Sequence, residues 1–549
     1  MPAEWEIIRD ECRARRRDAI PTHLLLPEDL LQSLPKDRSC LLDTGGHFTA
    51  FELAIINSPA REIVANIRDK VWSAVEVTLA FCKSAAVAQQ LTNCLTEVFF
   101  DKAVKRATAL DDYQKKYDKT IGPLHGLPIS LKDSFFLATH TSSIGLIKYA
   151  RQSIDSTAPL AKMMHDLGGV FYVKTNTPIA MGGLETYNNL WGETVNPWGF
   201  TPGGSSGGEG ALVSMRGSPL GIGTDLGGSV RLPAGWCGLY GFKASSQRMS
   251  MRGHATALPG VDLIKATCGP LTRSLDTMEF WLEIVTSDQR LWDLDSKTIP
   301  MPWRSQDNYY KDRRLRIGVI RETDGLCTVH PPVVRAVDEV MAALEAAGHE
   351  VFDWEPTGHK ELTGLFFQNA IHHTAPLMSM VNDSGEPLLP MLAHFKAVSD
   401  GGGPDPFNSQ TQRDLTMLRD RLCDEYFDRW AMTATDTKPE MDAILSPLSP
   451  YAMPPLKTFD RVMSLSMTCF ANVLDTPSCV FPVTTVDKNV DKKRAEFTPI
   501  DDMDAAIQDD YDPEIYDGVP VCLQLTGKRL REENLVAITK KIDQLIRKK

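Results

Sequence analysis

The sequence predicts an α/β protein in which a large mixed or mostly parallel β-sheet is covered by helices on both faces. Short apolar stretches alternate with segments of helical spacing along most of the chain, an order typical of such sheets. A strand–helix–strand unit is indicated at residues 315–354. The chain has 549 residues, of which 42% are hydrophobic, so it can bury an extensive core.

The first half of the chain contains most of the signals for individual elements. We expect residues 1–60 to be a lead-in with short helices, and residues 61–549 to form a single domain. Ser73 and Glu76 have the spacing of a capping box, which begins a helix that extends to about Leu91. Further along, the pattern predicts strands at 129–133, 170–174 and 220–224, and helices at 157–167 and 209–215.

The second half continues the alternation after a polar, proline-containing connection at residues 297–313. We expect residues 360–430 to be an inserted or lid-like region at the entrance to the site, with a Gly/Pro-rich loop at 399–409. The remaining predicted elements are strands at 315–320, 350–354, 480–483 and 519–525, and helices at 331–347 and 532–546.

Composition and charge argue against several classes of protein. A net charge of −12 argues against a nucleic-acid or anionic-membrane partner, because phosphate binding needs clustered Lys and Arg. Eleven cysteines without a CxxC pair indicate reduced thiols in a cytoplasmic protein, and no metal-ligand spacing is present. Residues 1–17 are too polar for a signal peptide, and no apolar stretch is long enough to span a bilayer.

Two glycine-rich segments, each with a central serine, are the most unusual feature of the sequence. Residues 203–208 read Gly-Gly-Ser-Ser-Gly-Gly, and Ser229 follows Gly227 and Gly228. Glycine permits tight backbone geometry and close approach of other groups. Lys132 lies in an apolar, Pro/Gly-bounded strand pattern, where burial would lower the pKa of its amine and allow it to act as a base.

The same segments suggest how a reaction intermediate would be stabilised. Consecutive amides of Leu226, Gly227, Gly228 and Ser229 are expected to converge on one point and hold the oxyanion of an acyl-transfer transition state. Taken singly, these features also suit ordinary structure: a flexible linker at 203–208, a strand-end turn at Gly227, and a solvated surface lysine.

Together, three segments resemble the amidase signature family. Residues 122–133 (Gly-Pro-Leu-His-Gly-Leu-Pro-Ile-Ser-Leu-Lys-Asp) are similar to the family's lysine segment. Residues 203–210 are similar to its cis-serine segment, and residues 221–234 to its nucleophile segment, with 24 positions between Ser205 and Ser229. The resemblance extends from about residue 60 to the C-terminus and is strongest to the fungal acetamidases, or general amidases, which are relatives of fatty acid amide hydrolase. It implies the amidase signature fold.

The resemblance also implies a mechanism. Ser229 is expected to be the nucleophile that forms an acyl-enzyme. Ser205 is expected to relay the proton of Ser229 and to contact the substrate, and neutral Lys132 to accept that proton. A cis peptide bond is expected between Gly204 and Ser205. The substrate would be a small carboxylic amide, cleaved to acid plus ammonia or amine without a metal or other cofactor.

Supporting roles are expected for residues around this triad. Asp225, Arg231 and Thr224 should hold loop backbone through hydrogen bonds. By resemblance to fatty acid amide hydrolases, Met181 would contact substrate, with core filling as an equally suitable role. Gly182 replaces an aromatic residue of that group, which suggests a wider local cavity.

Several alternatives remain open from the sequence. The same triad would serve an aryl acylamidase or a urethane (carbamate) hydrolase. Residues 204–208 also fit the G-x-S-x-G elbow of α/β-hydrolases, with Ser206 as nucleophile and His349 or His394 as candidate bases. A subunit of a tRNA-dependent amidotransferase and a binding protein that has lost its chemistry are further alternatives. A homodimer is the expectation for the assembly.

Overall fold

The structure, a computed structural model, describes residues 1–402 and 408–547. Within these residues an 11-stranded sheet has the order β1-β3-β2-β6-β8-β7-β12-β13-β11-β9-β10, and β4 and β5 form a separate pair. The strands are β1 Leu95–Val98, β2 Pro128–Lys132, β3 Val170–Thr175, β4 Tyr187–Asn188, β5 Gly192–Glu193, β6 Leu220–Asp225, β7 Tyr240–Lys243, β8 Thr267–Thr272, β9 Arg316–Val319, β10 Glu350–Asp353, β11 Ala443–Pro447, β12 Ser478–Thr485 and β13 Pro520–Thr526.

The large sheet is mixed, as expected, but it is not mostly parallel. The pairs β2–β3, β2–β6, β9–β10 and β9–β11 are parallel, and the other neighbouring strands are antiparallel. Parallel neighbours need a crossover connection, usually a helix. Residues 244–266, which join β7 to β8, contain no helix, and these two strands pair antiparallel.

Helices cover the sheet on both faces. Every residue of β2, β3, β11 and β13 is buried, and successive side chains of a strand point to opposite faces. The helices of the described residues are α1 Glu4–Asp18, α2 Glu28–Gln32, α3 Leu41–Thr44, α4 Ala50–Asn57, α5 Ala60–Arg68, α6 Ala74–Thr92, α7 Phe100–Tyr117, α8 Pro159–Asp166, α9 Gly207–Ser214, α10 Arg231–Trp236, α11 Leu275–Ser287, α12 Gln289–Leu294, α13 Asp307–Tyr310, α14 Pro331–Ala346, α15 His359–His372, α16 Thr374–Asn382, α17 Ala393–Ala397, α18 Ser409–Ala431, α19 Ser466–Val473, α20 Asp502–Asp509, α21 Pro513–Tyr516 and α22 Glu532–Ile546.

The predicted elements are present within one or two residues at most ends. The capping box at the start of α6 is confirmed, because Ser73 Oγ accepts from the Glu76 amide at 3.1 Å and Glu76 returns a bond to the Ser73 amide at 2.8 Å. The sequence analysis missed β1, β7, β8 and β11. Each is a short strand of four to six residues, a length at which apolar patterns are weak signals.

The N-terminal lead-in contains one helix that is longer than expected. Helix α1 has 15 residues, and it is attached to the rest of the protein by two arginines. Arg13 donates to Leu190 O at 2.8 Å, and Arg16 donates to Leu95 O at 2.5 Å. Residues 1–60 are therefore a packed part of the fold.

The region expected to be lid-like is helical. It consists of α15–α18 and two short turns, with residues 403–407 of the expected loop 399–409 lying outside the described part of the chain. Of that loop, residues 399–402 form a π-helical turn instead, and Ser409 begins α18. Leu377, Met391 and Leu392 pack in an apolar cluster with Ile144 and Ile179.

Candidate active site

The candidate site lies where two parallel strands end side by side. β2 ends at Lys132 and β6 ends at Asp225, and the two strands are parallel neighbours. In α/β sheets, ligands bind in the crevice beyond the carboxyl ends of such strands. A cavity of about 780 Å³ opens there, with Ser205 and Ser229 in its wall.

Lys132 is completely buried at this edge of the sheet. Its Nζ donates to Ser205 Oγ at 2.7 Å and to Thr224 Oγ1 at 2.8 Å. Burial lowers the pKa of the amine to about 7, although the negative charges of Asp225 and Glu209 act in the opposite direction. A substantial fraction of Lys132 is therefore uncharged at neutral pH, as a general base requires.

The two serines are presented by adjacent loops. The Gly204–Ser205 peptide bond is cis, as the family resemblance implied. The Ser206 amide donates to Ser229 O at 3.1 Å, which joins the Ser205 loop to the turn after β6. The Ser229 hydroxyl faces the cavity and, within the described residues, forms no hydrogen bond to protein.

In the turn after β6, one of the four amides predicted to form the oxyanion hole is not available to a substrate. The Gly228 amide donates to Asp225 Oδ1 at 2.9 Å, so it is engaged by the protein itself. The reason is local, since Asp225 ends the strand and its carboxylate folds back over the turn. The amides of Leu226, Gly227 and Ser229 have no acceptor in the described part of the chain.

Asp225 and Arg231 hold this turn from beneath, as expected. Asp225 also accepts from the Val230 amide at 3.1 Å and from Arg231 Nε at 3.1 Å. Arg231 is buried and donates in addition to Thr468 O at 2.9 Å and Asn472 Oδ1 at 2.6 Å. Burial raises the pKa of Asp225, but the Arg231 guanidinium more than offsets this and holds it far below its usual value.

Thr224 acts differently from the expectation. Its hydroxyl accepts from Lys132 rather than holding loop backbone. In the parallel pair β2–β6, Leu131 is registered with Ile222, so Lys132 lies at the level of Gly223, one position before Thr224.

The alternative with Ser206 as nucleophile is wrong. Ser206 is completely buried, and its Oγ lies 3.3 Å from both the amide and the carbonyl of Thr224. The candidate bases lie in other elements: His349 accepts from the Leu315 amide next to β9, and His394 is in α17. The serine of an elbow must be exposed to substrate, and Ser206 is not.

Met181 and Gly182 line the cavity. Two side chains of the region 360–430 lie close to Gly182, because a Cβ there would lie 3.3 Å from Leu392 Cδ2 and 3.5 Å from Leu377 Cδ1. The space beside Gly182 is therefore narrower than the replacement of an aromatic residue suggested.

Sequence reasoning missed two parts of the site. The loop at residues 246–266 supplies more of the cavity wall than the lid-like region does, because Leu377 is the one described residue of the latter that lines the cavity. Glu209, in the first turn of α9, is completely buried, and the sequence analysis did not predict it as part of the site. Its signal was an acidic residue in an otherwise apolar helix directly after the glycine–serine loop.

Among the described residues, no three or more His, Cys, Asp or Glu side chains are grouped so that they could hold a metal ion. In the same residues, no helix has the length and apolar character needed to cross a membrane.

Known proteins of one family are similar to this chain over most of its length. The family model for amidases matches residues 76–536. An acetamidase of Emericella nidulans is 37% identical over 564 aligned positions, which cover 100% of this chain and 99% of the relative. An acetamidase of Aspergillus oryzae is 36% identical, with both chains covered completely.

Solved structures show the same architecture. Fatty acid amide hydrolase superposes with a TM-score of 0.91 at 31% identity, covering 99% of this chain and 95% of that one. A 6-aminohexanoate cyclic dimer hydrolase superposes with a TM-score of 0.72 at 20% identity, over 89% and 97% of the two chains, and shares the fold. Fold and site thus define an amide hydrolase. The chain belongs to the amidase family, and it is a hydrolase that acts on amides.

Proposed function

We propose that this amidase hydrolyses small carboxylic amides to an acid and ammonia or an amine through a Ser229 acyl-enzyme. The observation that carries the proposal is the 2.7 Å contact between buried Lys132 Nζ and Ser205 Oγ, on the wall that also presents Ser229. Lys132 takes a proton from Ser205, and Ser205 takes one from Ser229, whose oxygen attacks the amide carbon.

The same relay returns the proton to the departing amine, and water then opens the acyl-enzyme. The free amides of Leu226, Gly227 and Ser229 are the donors placed to hold the oxyanion. Met181, which lines the same cavity, contacts the substrate. The chemistry uses protein groups only.

The cavity also bears on the size of the substrate. Its volume of about 780 Å³ lies in the range that holds drug-sized ligands. Aryl amides and carbamate esters therefore remain candidate substrates beside acetamide. A panel of acetamide, benzamide, acetanilide and ethyl carbamate would rank them by kcat/KM.

We also propose that the chain acts in the cytoplasm, as a homodimer, without nucleic acid. The net charge of −12 supports the last point. Turnover of a free amide by the purified chain alone would count against a tRNA-dependent amidotransferase subunit. Tight binding without turnover would favour a protein that has lost its chemistry.

Ser229→Ala tests the nucleophile directly. We expect kcat/KM to fall on the order of a thousandfold or more, because the proposed acyl-enzyme forms on the Ser229 oxygen. A phenylmethylsulfonyl adduct on wild-type protein should map to Ser229 by mass spectrometry.

Ser206→Ala is the matched control, since it changes a neighbouring serine whose hydroxyl is buried against β6. It should keep most of the activity and the label on Ser229. An active Ser229→Ala variant, or a label that maps elsewhere, would refute the proposed nucleophile.

A further inference from the structure

The cavity extends beyond the groups that are proposed to react. Its volume of about 780 Å³ suits a drug-sized ligand rather than a molecule as small as acetamide. Its wall contains apolar side chains such as Leu226 and Leu377, and two segments that carry charge, residues 252–265 and 295–297. A substrate that fills the cavity therefore meets apolar and charged groups in addition to the proposed triad.

The charged side chains of the wall are three cations and two carboxylates. The cations are Arg252, Lys265 and Lys297, and the carboxylates are Asp262 and Asp295. His254 also lines the cavity, but burial lowers the pKa of its ring to about 4, so it is neutral near pH 7. The wall therefore has an excess of positive charge, in a protein whose net charge is −12.

Both carboxylates of the wall are already engaged. Asp262 lies 3.6 Å from Lys265 Nζ, so these two charges offset each other. Asp295 is buried, and its carboxylate accepts from Ser250 Oγ at 2.7 Å and from the Lys297 amide at 3.0 Å. The positive charge in excess therefore lies on the remaining two cations.

Arg252 and Lys297 are these remaining cations, and both residues are exposed. In the described part of the chain, no carboxylate lies within ion-pair distance of either. Arg252 Nη1 donates to Leu294 O at 2.7 Å, which brings the guanidinium to the segment that carries Lys297. The guanidinium has further N–H groups that no acceptor of the same residues uses, so they are available to a ligand.

The segment that carries Arg252 is fixed next to the proposed base. The Phe136 amide donates to Gly253 O at 3.0 Å. The Ala255 amide donates to Ser134 O at 2.8 Å. Ser134 and Phe136 closely follow β2, which ends at the proposed base. The positive part of the wall is therefore joined to the reacting groups by a short segment, so both can act on one substrate.

We propose that this amidase prefers amides in which an apolar chain ends in a carboxylate, and that Arg252 and Lys297 bind that carboxylate. The inference rests on the proposed function, because it concerns the far end of the substrate whose amide carbon Ser229 attacks. The guanidinium forms charge-assisted hydrogen bonds with the carboxylate, and the ammonium supplies a second positive charge. The apolar side chains of the wall contact the chain.

Electrostatics gives this preference a recognisable signature. The net charge of −12 repels an anionic substrate at long range, so attraction of a carboxylate has to come from cations close to it. Because both side chains are exposed, salt screens this attraction. The preference should therefore weaken as the ionic strength is raised.

Pairs of substrates that differ at the far end test the proposal. The monoamides of succinic, adipic and suberic acid are compared with butanamide, hexanamide and octanamide, in which a methyl group replaces the carboxylate. N-acetyl-δ-aminovalerate and N-pentylacetamide form a further pair, with the carboxylate on the amine side. In at least one pair, kcat/KM of wild type at low salt should be about tenfold higher for the carboxylate. Equal or lower kcat/KM for the carboxylate in every pair would overturn the proposal.

Arg252→Gln and Lys297→Gln remove the two charges singly. Each should lower the ratio of kcat/KM for the preferred carboxylate to that for its neutral counterpart about threefold, and the double variant about tenfold. Either variant is sufficient if the other does not fold. The wild-type ratio in a folded double variant, or in both folded single variants, would contradict the assignment of these two residues.

Lys119→Gln is the matched control, since Lys119 is an exposed lysine outside the cavity wall. It changes the net charge as Lys297→Gln does and should leave the ratio at its wild-type value. An equal fall in this variant would attribute the preference to overall charge and contradict the proposal.

The neutral amides separate this proposal from the proposed function. Full activity of Ser229→Ala on hexanamide would refute the proposed mechanism whatever the preference for carboxylates. Hydrolysis of hexanamide by wild type that requires Ser229, without a preference for the carboxylate in any pair, would refute the role of Arg252 and Lys297 alone.

Discussion

At the scale of single residues, the proposed chemistry depends on the amine of Lys132, which is excluded from water. Lys132 is completely buried, and its own strand β2 and the neighbouring β3 are buried at every position, so its ammonium form lacks water to solvate it. The partners of its Nζ are the hydroxyl groups of Ser205 and Thr224, which are neutral. The protein thereby favours the uncharged amine near pH 7 without a cation next to it.

A pH profile of kcat/KM tests this state of Lys132. Its pKa is lowered to about 7, and the base works unprotonated, so kcat/KM should fall by up to about tenfold per pH unit below pH 7. The measurement is kcat/KM on a substrate that does not titrate between pH 5 and 9.

Glu185→Gln controls for a second buried group with a similar titration. Burial raises the pKa of Glu185 to about 7, and its carboxylate accepts from the Lys457 amide at 2.7 Å. The fall in kcat/KM below pH 7 should persist in this variant. If the fall disappeared, it would be assigned to Glu185, and the proposed role of Lys132 would be contradicted.

The residues of the proposed triad could be identified from the sequence because each lies in a distinctive segment. Lys132 is a charge in an apolar strand, and Ser205 and Ser229 lie between glycines. The engaged Gly228 amide was not predictable, because it depends on how the Asp225 side chain folds back over the turn. Which donors of a glycine turn remain free is a property of three-dimensional contacts.

At the scale of elements, the turn after β6 is held by one side chain and packed against one helix. The Asp225 carboxylate accepts hydrogen bonds from two of its amides, and α15 packs against it. A Cβ at Gly227 would lie 2.7 Å from Phe366 Cζ, and the hydroxyl of Thr468 donates to Gly227 O at 2.6 Å. The turn that carries the proposed nucleophile is thus in direct contact with α15.

Gly227→Ala tests this contact. The added methyl group should push the turn away from Phe366, and a displacement of about 1 Å at a reacting group lowers activity by about a hundredfold. The measurement is kcat/KM, together with the thermal unfolding midpoint to show that the variant folds.

Phe366→Leu should restore part of the activity of Gly227→Ala, because it removes the ring that the methyl group meets. Alone, it should have a smaller effect than Gly227→Ala. Purely additive effects of the two changes would contradict the contact as the cause.

Elements were predictable from sequence to the extent that they were long or well bounded. Helix α22 was predicted with its observed ends, and α14 to within one residue, because proline begins α14 and glycine follows it. The order of the strands was not predictable, since antiparallel pairing of β7 and β8 depends on a helix-free loop that also forms the cavity wall.

At the scale of the whole molecule, hydrogen bonds of polar side chains connect the edge strand β1 to the loop that follows Lys132. Glu97 on β1 accepts from Thr141 Oγ1 at 2.8 Å and contacts the ring of His140 at 2.9 Å. The adjacent Thr96 donates to Asp133, the residue after Lys132. The edge strand and the loop after β2 therefore belong to one polar network, which reaches the residue next to Lys132.

This network predicts how stability depends on pH. Burial raises the pKa of Glu97, but the hydrogen bond to His140 and the charge of Lys174 more than offset it, so the pKa is lowered to about 2. The unfolded value is near 4.5. A carboxyl group with a depressed folded pKa stabilises the protein above the unfolded value, and this contribution is lost as pH falls from about 4.5 toward 2.

Glu97→Gln should therefore be less stable than wild type at pH 7, by about 3 kcal/mol if the whole shift of the pKa is expressed as stability. The difference in the urea unfolding midpoint should narrow as pH is lowered from 5 to 3, because wild type then loses the same contribution. Asp69→Asn is the control, since its partner Arg68 is a neighbour in the chain and both side chains are largely exposed, so little change is expected at any pH. A constant difference between Glu97→Gln and wild type across this range would show that the carboxylate contributes through shape alone and not through its charge.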